Sequence, residues 1–199
     1  MKVLIACEFS GIVRDAFKER GHDALSCDLL STEKPGKHYQ GNILDILYSE
    51  NWDLIISHIP CTYMCNSGVC HLYNKDGSYN IDRWIRLDES TNLFNKIWEC
   101  DVNKICMENP IPHGYALERL PCKYTQIIHP YMFGHLEQKS TCLWLKNLPM
   151  LNETNNVKTE MMKLPDNIRQ RLHYLPPGSN RQKERSRTFK NIAKAMADQ

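Results

Sequence analysis

The sequence predicts an α/β fold built on a mostly parallel sheet. Short aliphatic and β-branched runs alternate with stretches of helical apolar spacing, the pattern of strand–helix–strand units. Polar residues suited to chemistry follow four of these runs, and ligands of such sheets sit beyond the carboxyl ends of the strands. The chain has 199 residues, 42% of them hydrophobic and 24% charged. That fits one globular domain and excludes a wholly disordered or fibrous chain.

Lys2–Ala6 reads as a buried strand, and Glu8-Phe9-Ser10-Gly11 leads from it into a helical pattern at Ile12, Val13, Ala16 and Phe17 that ends near Gly21. Asp23–Cys27 is a second strand with Asp28 at its tip, and the Pro- and Gly-bearing stretch 33–41 reads as loop. Trp52–Ser57 is a third strand running into a polar loop from His58 to about Asn80. Ile81–Cys100 carries Trp84, Ile85, Phe94, Ile97 and Trp98 at helical spacing. Lys104–Met107 is a strand ending at Glu108-Asn109-Pro110; Thr125–Ile128 and Thr141–Leu145 are two later ones. Residues 146–180 are polar and Pro-rich, with a short helix expected at Glu160–Lys163, and Glu184–Ala197 reads as one C-terminal helix. The domain reading is a core over 1–145, a short variable segment over 146–182 and a terminal helix over 183–199 packing back on the core.

No apolar run approaches the 18 or so residues of a membrane span, so no membrane partner is expected. Glu8 interrupts an already short apolar start, which argues against a signal peptide. Nine cysteines without an export signal read as free thiols in a reducing cytoplasm. Residues 158–199 hold ten Lys/Arg against four Asp/Glu, a net +6 in a chain of formal charge +2. A basic end on a mildly acidic body suits an anionic partner; a solvated basic helix is the plainer alternative.

Four constellations bear on chemistry. Phe9-Ser10-Gly11 at a helix start, with Asp28 ending the next strand, suits a nucleoside whose ribose hydroxyls donate to the acid. An ordinary strand-to-helix turn is the alternative. In His58-Ile59-Pro60-Cys61-Thr62, proline holds a cysteine at a strand end, where it serves as a nucleophile if its thiol is activated, or else is structural. Glu108 before Asn109-Pro110 is placed as a general acid or orienting group, with a raised pKa if its pocket is dry, or is a turn residue. Cys61, Cys65, Cys70 and His71 match no tight zinc spacing, so no metal is expected.

In this order the pieces resemble the C5-cytosine DNA methyltransferase family, in a compact, phage-like form. Phe9-Ser10-Gly11 is similar to the family's first cofactor motif, Pro60-Cys61 to its Pro-Cys nucleophile motif and Glu108-Asn109 to its Glu-Asn motif. Asp28 matches the acid that takes the cofactor ribose, and Asp45, in Gly41-Asn42-Ile43-Leu44-Asp45-Ile46, the acid near the adenine. Phe189-Lys190-Asn191-Ile192-Ala193 echoes the closing motif, which brings Asn191 toward the cofactor.

The resemblance implies a Rossmann-like class I methyltransferase fold that uses S-adenosyl-L-methionine. It implies methylation of cytosine C5, in DNA, with Cys61 as nucleophile and Glu108 engaging N3. Pro60, Asn109, Lys139, Arg185 and Arg187 are then expected on the substrate side. Ile59 stands where the family commonly has a second proline, and Gln138-Lys139-Ser140-Thr141 only echoes its Gln-x-Arg-x-Arg pattern. About 35 residues separate Leu145 from Arg181, too few for a full recognition domain. A free pyrimidine nucleotide as substrate, a recognition module supplied by a protein partner, and a catalytically idle binding module therefore stay open. The expected location is cytoplasmic, in a bacterial host if the chain is phage-encoded.

Overall fold

The computed structural model describes residues 1–199, the side chain of Ser179 excepted. Seven strands form one sheet: β1 (Lys2–Ala6), β2 (Asp23–Asp28), β3 (His38–Gln40), β4 (Leu54–Ser57), β5 (Lys104–Pro110), β6 (Gln126–Ile128) and β7 (Thr141–Lys146), in the order β3-β2-β1-β4-β5-β7-β6. The pairs β1–β2, β1–β4, β2–β3 and β4–β5 are parallel, while β7 runs antiparallel to both β5 and β6. This is the expected Rossmann-like α/β architecture with a mostly parallel sheet.

Nine α-helices are described: α1 (Ile12–Glu19), α2 (Ile43–Ile46), α3 (Ile81–Trp98), α4 (Gly114–Leu117), α5 (Lys158–Met161), α6 (Asp166–Arg169), α7 (Arg171–Tyr174), α8 (Ser179–Ser186) and α9 (Lys190–Asp198). Short 3₁₀ turns occupy Asn66–Leu72 and Pro130–Met132.

The strands are apolar on both faces because helices cover both. Alternation sorts the side chains. Leu4, Ala6, Ile55, Ile105 and Met107 join Leu87, Phe94 and Ile97 of α3 in one core. Val3, Ile5, Leu54, Ile56 and Cys106 join Val13 and Phe17 of α1 and Ile192, Ala193 and Ala195 of α9 in the other. Arg20, just after α1, is ion-paired with Asp198 at the end of α9. The two helices therefore run side by side in the same direction, and both begin at the carboxyl edge of the sheet.

The structure departs from the sequence reading in several places, among them β5, which runs on through Glu108-Asn109 to Pro110 rather than ending at Met107. β3 lies inside the stretch expected to be loop, held by His38 Nδ1 2.9 Å from Ser26 Oγ. The short helix of the variable segment is Lys158–Met161 rather than Glu160–Lys163. The single terminal helix is two, α8 and α9, broken where Arg187 turns to an extended backbone (φ −67°, ψ 135°) and pairs with Glu33 at 2.6 Å. The expected boundary at residue 183 thus cuts through α8.

Candidate active site

The carboxyl edge gathers the loops after β1, β2, β4 and β5. Glu8 N–H donates to Cys27 O and His58 N–H to Ala6 O, both at 2.9 Å, so the loops leave the sheet tied to neighbouring strands. At the β1 exit Cys7 adopts a left-handed backbone, φ +58°. A non-glycine residue there costs about 1–3 kcal/mol and persists where the surroundings fix it.

The start of α1 is occupied by the chain's own carboxylate. Glu8, 4% exposed, accepts from Val13 N at 2.8 Å, Arg14 N at 3.3 Å and the Ser10 hydroxyl at 2.9 Å. Ser10 Oγ in turn accepts from Ile12 N at 3.2 Å. The donors that a helix start offers to anions are therefore taken, and a negative charge already sits there. A pyrophosphate is disfavoured at this spot; a cationic group is not. Ser10 is placed as expected in sequence, but its hydroxyl turns inward to Glu8, leaving only its backbone for a cofactor.

Gly11 has φ +70°, and a Cβ there would lie 2.5 Å from the Arg14 guanidinium. That guanidinium, 1% exposed at the side chain, donates to Asp15, Ser26 Oγ, Thr32 Oγ1 and the carbonyls of Lys34 and Pro35. It stitches the α1 start to the loop after β2. Asp28 stands half-buried at the end of β2, with Oδ1 accepting from Leu30 N at 2.9 Å. Burial raises its pKa, against the lowering effect of the Leu30 N–H and His38. Asp45 is exposed on α2 and accepts from the Tyr39 hydroxyl at 3.2 Å. Phe9 is buried beneath Lys183, whose Nζ is 6.0 Å from the ring centre. Asn191, in the first turn of α9, donates from Nδ2 to Phe133 O at 2.7 Å.

Cys61 and Glu108 come from adjacent paired strands, Ser57 being opposite Met107. Their loops are laced together: Asn66 N–H donates to Ile111 O at 3.1 Å, His113 N–H to Met64 O at 2.9 Å, and Asn109 Nδ2 to Ile59 O at 3.1 Å. His113 Nε2 reaches Tyr63 O at 3.0 Å. Asn109 is 1% exposed; its Nδ2 braces the Pro60-Cys61 turn from within, and its Oδ1 has no hydrogen-bond partner among the described residues. Cys61 is half-buried. The neighbouring Cys65 thiol, burial and the nearby Glu108 charge raise its pKa, while Lys139 lowers it.

Glu108 departs from expectation. Burial does push its carboxyl up, but His58 Nδ1 at 3.0 Å, the Lys139 charge and the Thr141 hydroxyl outweigh burial and hold it below the ordinary value. Dryness alone predicts a raised pKa; His58 just after β4, Lys139 just ahead of β7 and Thr141 at its start reverse the sign. His58 and Thr141 were not singled out from sequence. A His closing an apolar strand run was the available signal for the first; nothing local marked the second.

Lys139 Nζ donates to Arg185 O at 3.0 Å, which ties α8 to this edge, and Arg185 itself is exposed. Arg187 is engaged by Glu33 and Glu184, so its charge is largely spent within the chain. Among the described residues no group of three or more His, Cys, Asp or Glu side chains converges as for a metal, and all nine cysteines are free. A cavity of about 560 Å³ opens at the opposite, amino edge between Trp52, Cys100, Val102 and Lys146, away from all of these groups. No helix of the described residues is long and apolar enough to cross a membrane.

No protein-family model matches the chain, and no curated protein does. Among solved structures it is similar to a prophage-encoded E. coli protein assigned as a DNA modification methyltransferase. The identity is 12% over 83% of this chain and 56% of that one, with a TM-score of 0.44. It is also similar to the Entamoeba histolytica methyltransferase EhMeth, at 15% identity over 78% of this chain and 57% of that one, with a TM-score of 0.48. The chain thus spans little more than half the length of either.

Proposed function

We propose that this chain is an S-adenosyl-L-methionine-dependent methyltransferase that modifies cytosine C5, in DNA, through a covalent adduct on Cys61. The observation that carries this reading is that Cys61, just past β4, and Glu108, near the end of the adjacent strand β5, stand on the same sheet edge, close enough for the Glu108 charge to act on Cys61. Asp28 and the Glu8-capped α1 start lie along the same edge.

The cofactor fits the groups present. Asp28 is a half-buried carboxylate that suits ribose hydroxyls, and Asp45 suits an exocyclic amine. The Glu8 charge at the α1 start tolerates a cationic methionyl group where a pyrophosphate is repelled. Bound there, the cofactor supplies an electrophilic methyl group on a sulfonium.

The remaining chemistry belongs to the chain. Cytosine C5 is a poor nucleophile until C6 carries a donor. Addition of the Cys61 sulfur at C6 makes C5 an enamine carbon. Glu108 engages N3, and the proton that N3 then needs reaches it through Glu108, whose Oε2 lies 3.0 Å from His58 Nδ1. A positioned proton donor of this kind contributes about 10²–10⁴-fold. Lys139, beside both Cys61 and Glu108, steadies the negative charge of the adduct. A base inside a duplex must first be flipped out, at a cost of a few kcal/mol. The basic residues 158–199 favour phosphates, a contribution that weakens steeply with salt.

A free pyrimidine nucleotide is the second reading. The engagement of Arg187 by Glu33 and Glu184 favours it, since that removes a cation from the face where a backbone would run. One experiment separates the two. Host DNA nucleosides are quantified by mass spectrometry after expression of the wild type and of Cys61→Ser, and the purified proteins are assayed on DNA and on deoxycytidine monophosphate. 5-Methylcytosine in DNA that vanishes with Cys61→Ser supports the first reading. Methylation of the mononucleotide alone selects the second. An undiminished product with Cys61→Ser overturns the covalent mechanism.

A further inference from the structure

Two consecutive residues of β5 reach across to two consecutive residues beyond β4. Glu108 Oε2 lies 3.0 Å from His58 Nδ1, and Asn109 Nδ2 donates to Ile59 O at 3.1 Å. The sheet register produces the first contact. Ile56 and Cys106 stand opposite each other on the face that α1 and α9 cover. Side chains alternate, so two residues further along each chain His58 and Glu108 emerge on that same face. The backbone of His58 is fixed from the other side, where its N–H donates to Ala6 O of β1 at 2.9 Å.

The pair is graded from inside to outside. The His58 side chain keeps 5% of its surface exposed and that of Glu108 14%, so the carboxyl group is the outer member and the imidazole the inner one. Held below its ordinary value, Glu108 is ionised at neutral pH. An ionised carboxylate only accepts hydrogen bonds, so the hydrogen of this contact sits on Nδ1. Nε2 is buried and has no hydrogen-bond partner among the described residues. The ring is therefore committed to Glu108 alone, through one carboxylate oxygen.

We infer that His58 is a positioning residue for the reaction: by taking Oε2 from behind, it sets the plane of the Glu108 carboxyl group and turns Oε1 to the cytosine edge. The inference rests on the reading of Glu108 as the group that engages N3, proposed above. His58 does not itself touch the base. The last torsion of a glutamate has only broad preferences, so without the ring the carboxyl group swivels. A misplacement of about 1 Å at a reacting group costs about 10²-fold in rate. The other groups facing the carboxyl are Lys139 just ahead of β7, Thr141 at its start, and the thiols of Cys61, Cys106 and Cys142. The thiols are neutral in the acid range where a carboxyl titrates. All of these groups stay in place when residue 58 alone is changed.

The test compares the wild type with His58→Asn, His58→Gln and His58→Leu. Asparagine puts an amide N–H near the place of Nδ1, glutamine near that of Nε2, and leucine offers neither. Nitrogen-15 NMR reads the His58 ring in the wild type at about pH 8, where an ordinary imidazole is neutral, and a hydrogen on Nδ1 is expected. Carbon-13 NMR of labelled glutamate, with Glu108→Gln as the assignment control, reads the carboxyl titration. Its midpoint is expected to rise by about one pH unit or more in His58→Leu and His58→Gln, and by less in His58→Asn. On DNA, His58→Leu and His58→Gln are expected to lose about 10²-fold in kcat with KM and cofactor affinity within about twofold, while His58→Asn recovers to within about fivefold of wild type. A bare Nδ1 in the wild type overturns the inference. So does an unmoved Glu108 midpoint in a folded His58→Leu or His58→Gln, or glutamine turning over as well as asparagine. If His58→Leu does not fold, the contrast of asparagine with glutamine and the wild-type ring decide. The spectra need neither cofactor nor DNA, so this inference and the methyltransferase reading fail separately.

Discussion

Arg14 offers the most direct test of how this edge is assembled. Substitution by Met keeps the aliphatic stem and removes the guanidinium. Four of the lost hydrogen bonds, to Ser26, Thr32, Lys34 O and Pro35 O, are 3.2–3.3 Å long. The Asp15 contact is shorter at 2.8 Å, but that carboxylate is 27% exposed and finds water when the partner is lost. Bonds of this length sit near the low end of about 0.5–1.5 kcal/mol each, and with a solvent-discounted ion pair the loss comes to about 3 kcal/mol. For a chain of this size that lowers Tm by about 6–12 °C. Arg14→Lys is expected to recover little, since an ammonium cannot reproduce a fork reaching five partners. Scanning calorimetry reads the Tm, and limited trypsin digestion reads release of the loop at Lys37. A Tm within about 2 °C of wild type together with unchanged digestion would refute the view of Arg14 as the clasp of this loop.

Two further substitutions probe ionisation. The Asp28 pKa is raised by burial, so its protonated form contributes stability that is present below the unfolded value of about 3.9 and lost as pH rises through the folded one. Asp28→Asn keeps the acceptor for Leu30 N–H and is expected to raise stability at pH 7, with the difference closing below about pH 4 in urea titrations. The same variant is expected to bind S-adenosyl-L-methionine at least about tenfold more weakly by calorimetry, as hydrogen bonds to a charged acceptor are lost; equal affinity would count against the ribose contact. Glu108 has the opposite sign: its lowered pKa contributes stability above the unfolded value of about 4.3, lost as pH falls through the folded one. Glu108→Gln is expected to be less stable than wild type at pH 7 but equal to it in strong acid, and to lose at least about 10²-fold in turnover. Parallel stability curves across pH would show that His58 and Lys139 do not hold the carboxylate.

Much of this was legible in the sequence because β-branched runs such as Trp-Asp-Leu-Ile-Ile-Ser leave little choice but a buried strand, and parallel strands bring their exits to one edge. Asp28, Cys61 and Glu108 could therefore be placed together without coordinates. β3 was hidden because His38-Tyr39-Gln40 has no alternation and follows Pro35-Gly36; it forms by pairing with β2. The break between α8 and α9 was hidden because Arg187 is held by Glu33, more than 150 residues away in the chain. Glu8 was read as an interruption of the apolar start, yet it caps α1 from within. The sign of the Glu108 shift depends on His58 and, with it, on Lys139 and Thr141, the last of which reaches it only through the pairing of β5 with β7.

That pairing makes the site unusually sensitive to alignment. The antiparallel ladder keeps six successive partners in step, from Ile105↔Lys146 at one end to Pro110↔Thr141 at the other. One residue of slippage moves Thr141 about 3.4 Å along β5 and flips its side chain to the opposite face. The ladder therefore works as a vernier, graduated along its whole length. A substitution that slips this register, even at Ile105 or Lys146 at the far end of the ladder, is expected to shift the acidity of the Glu108 carboxyl group.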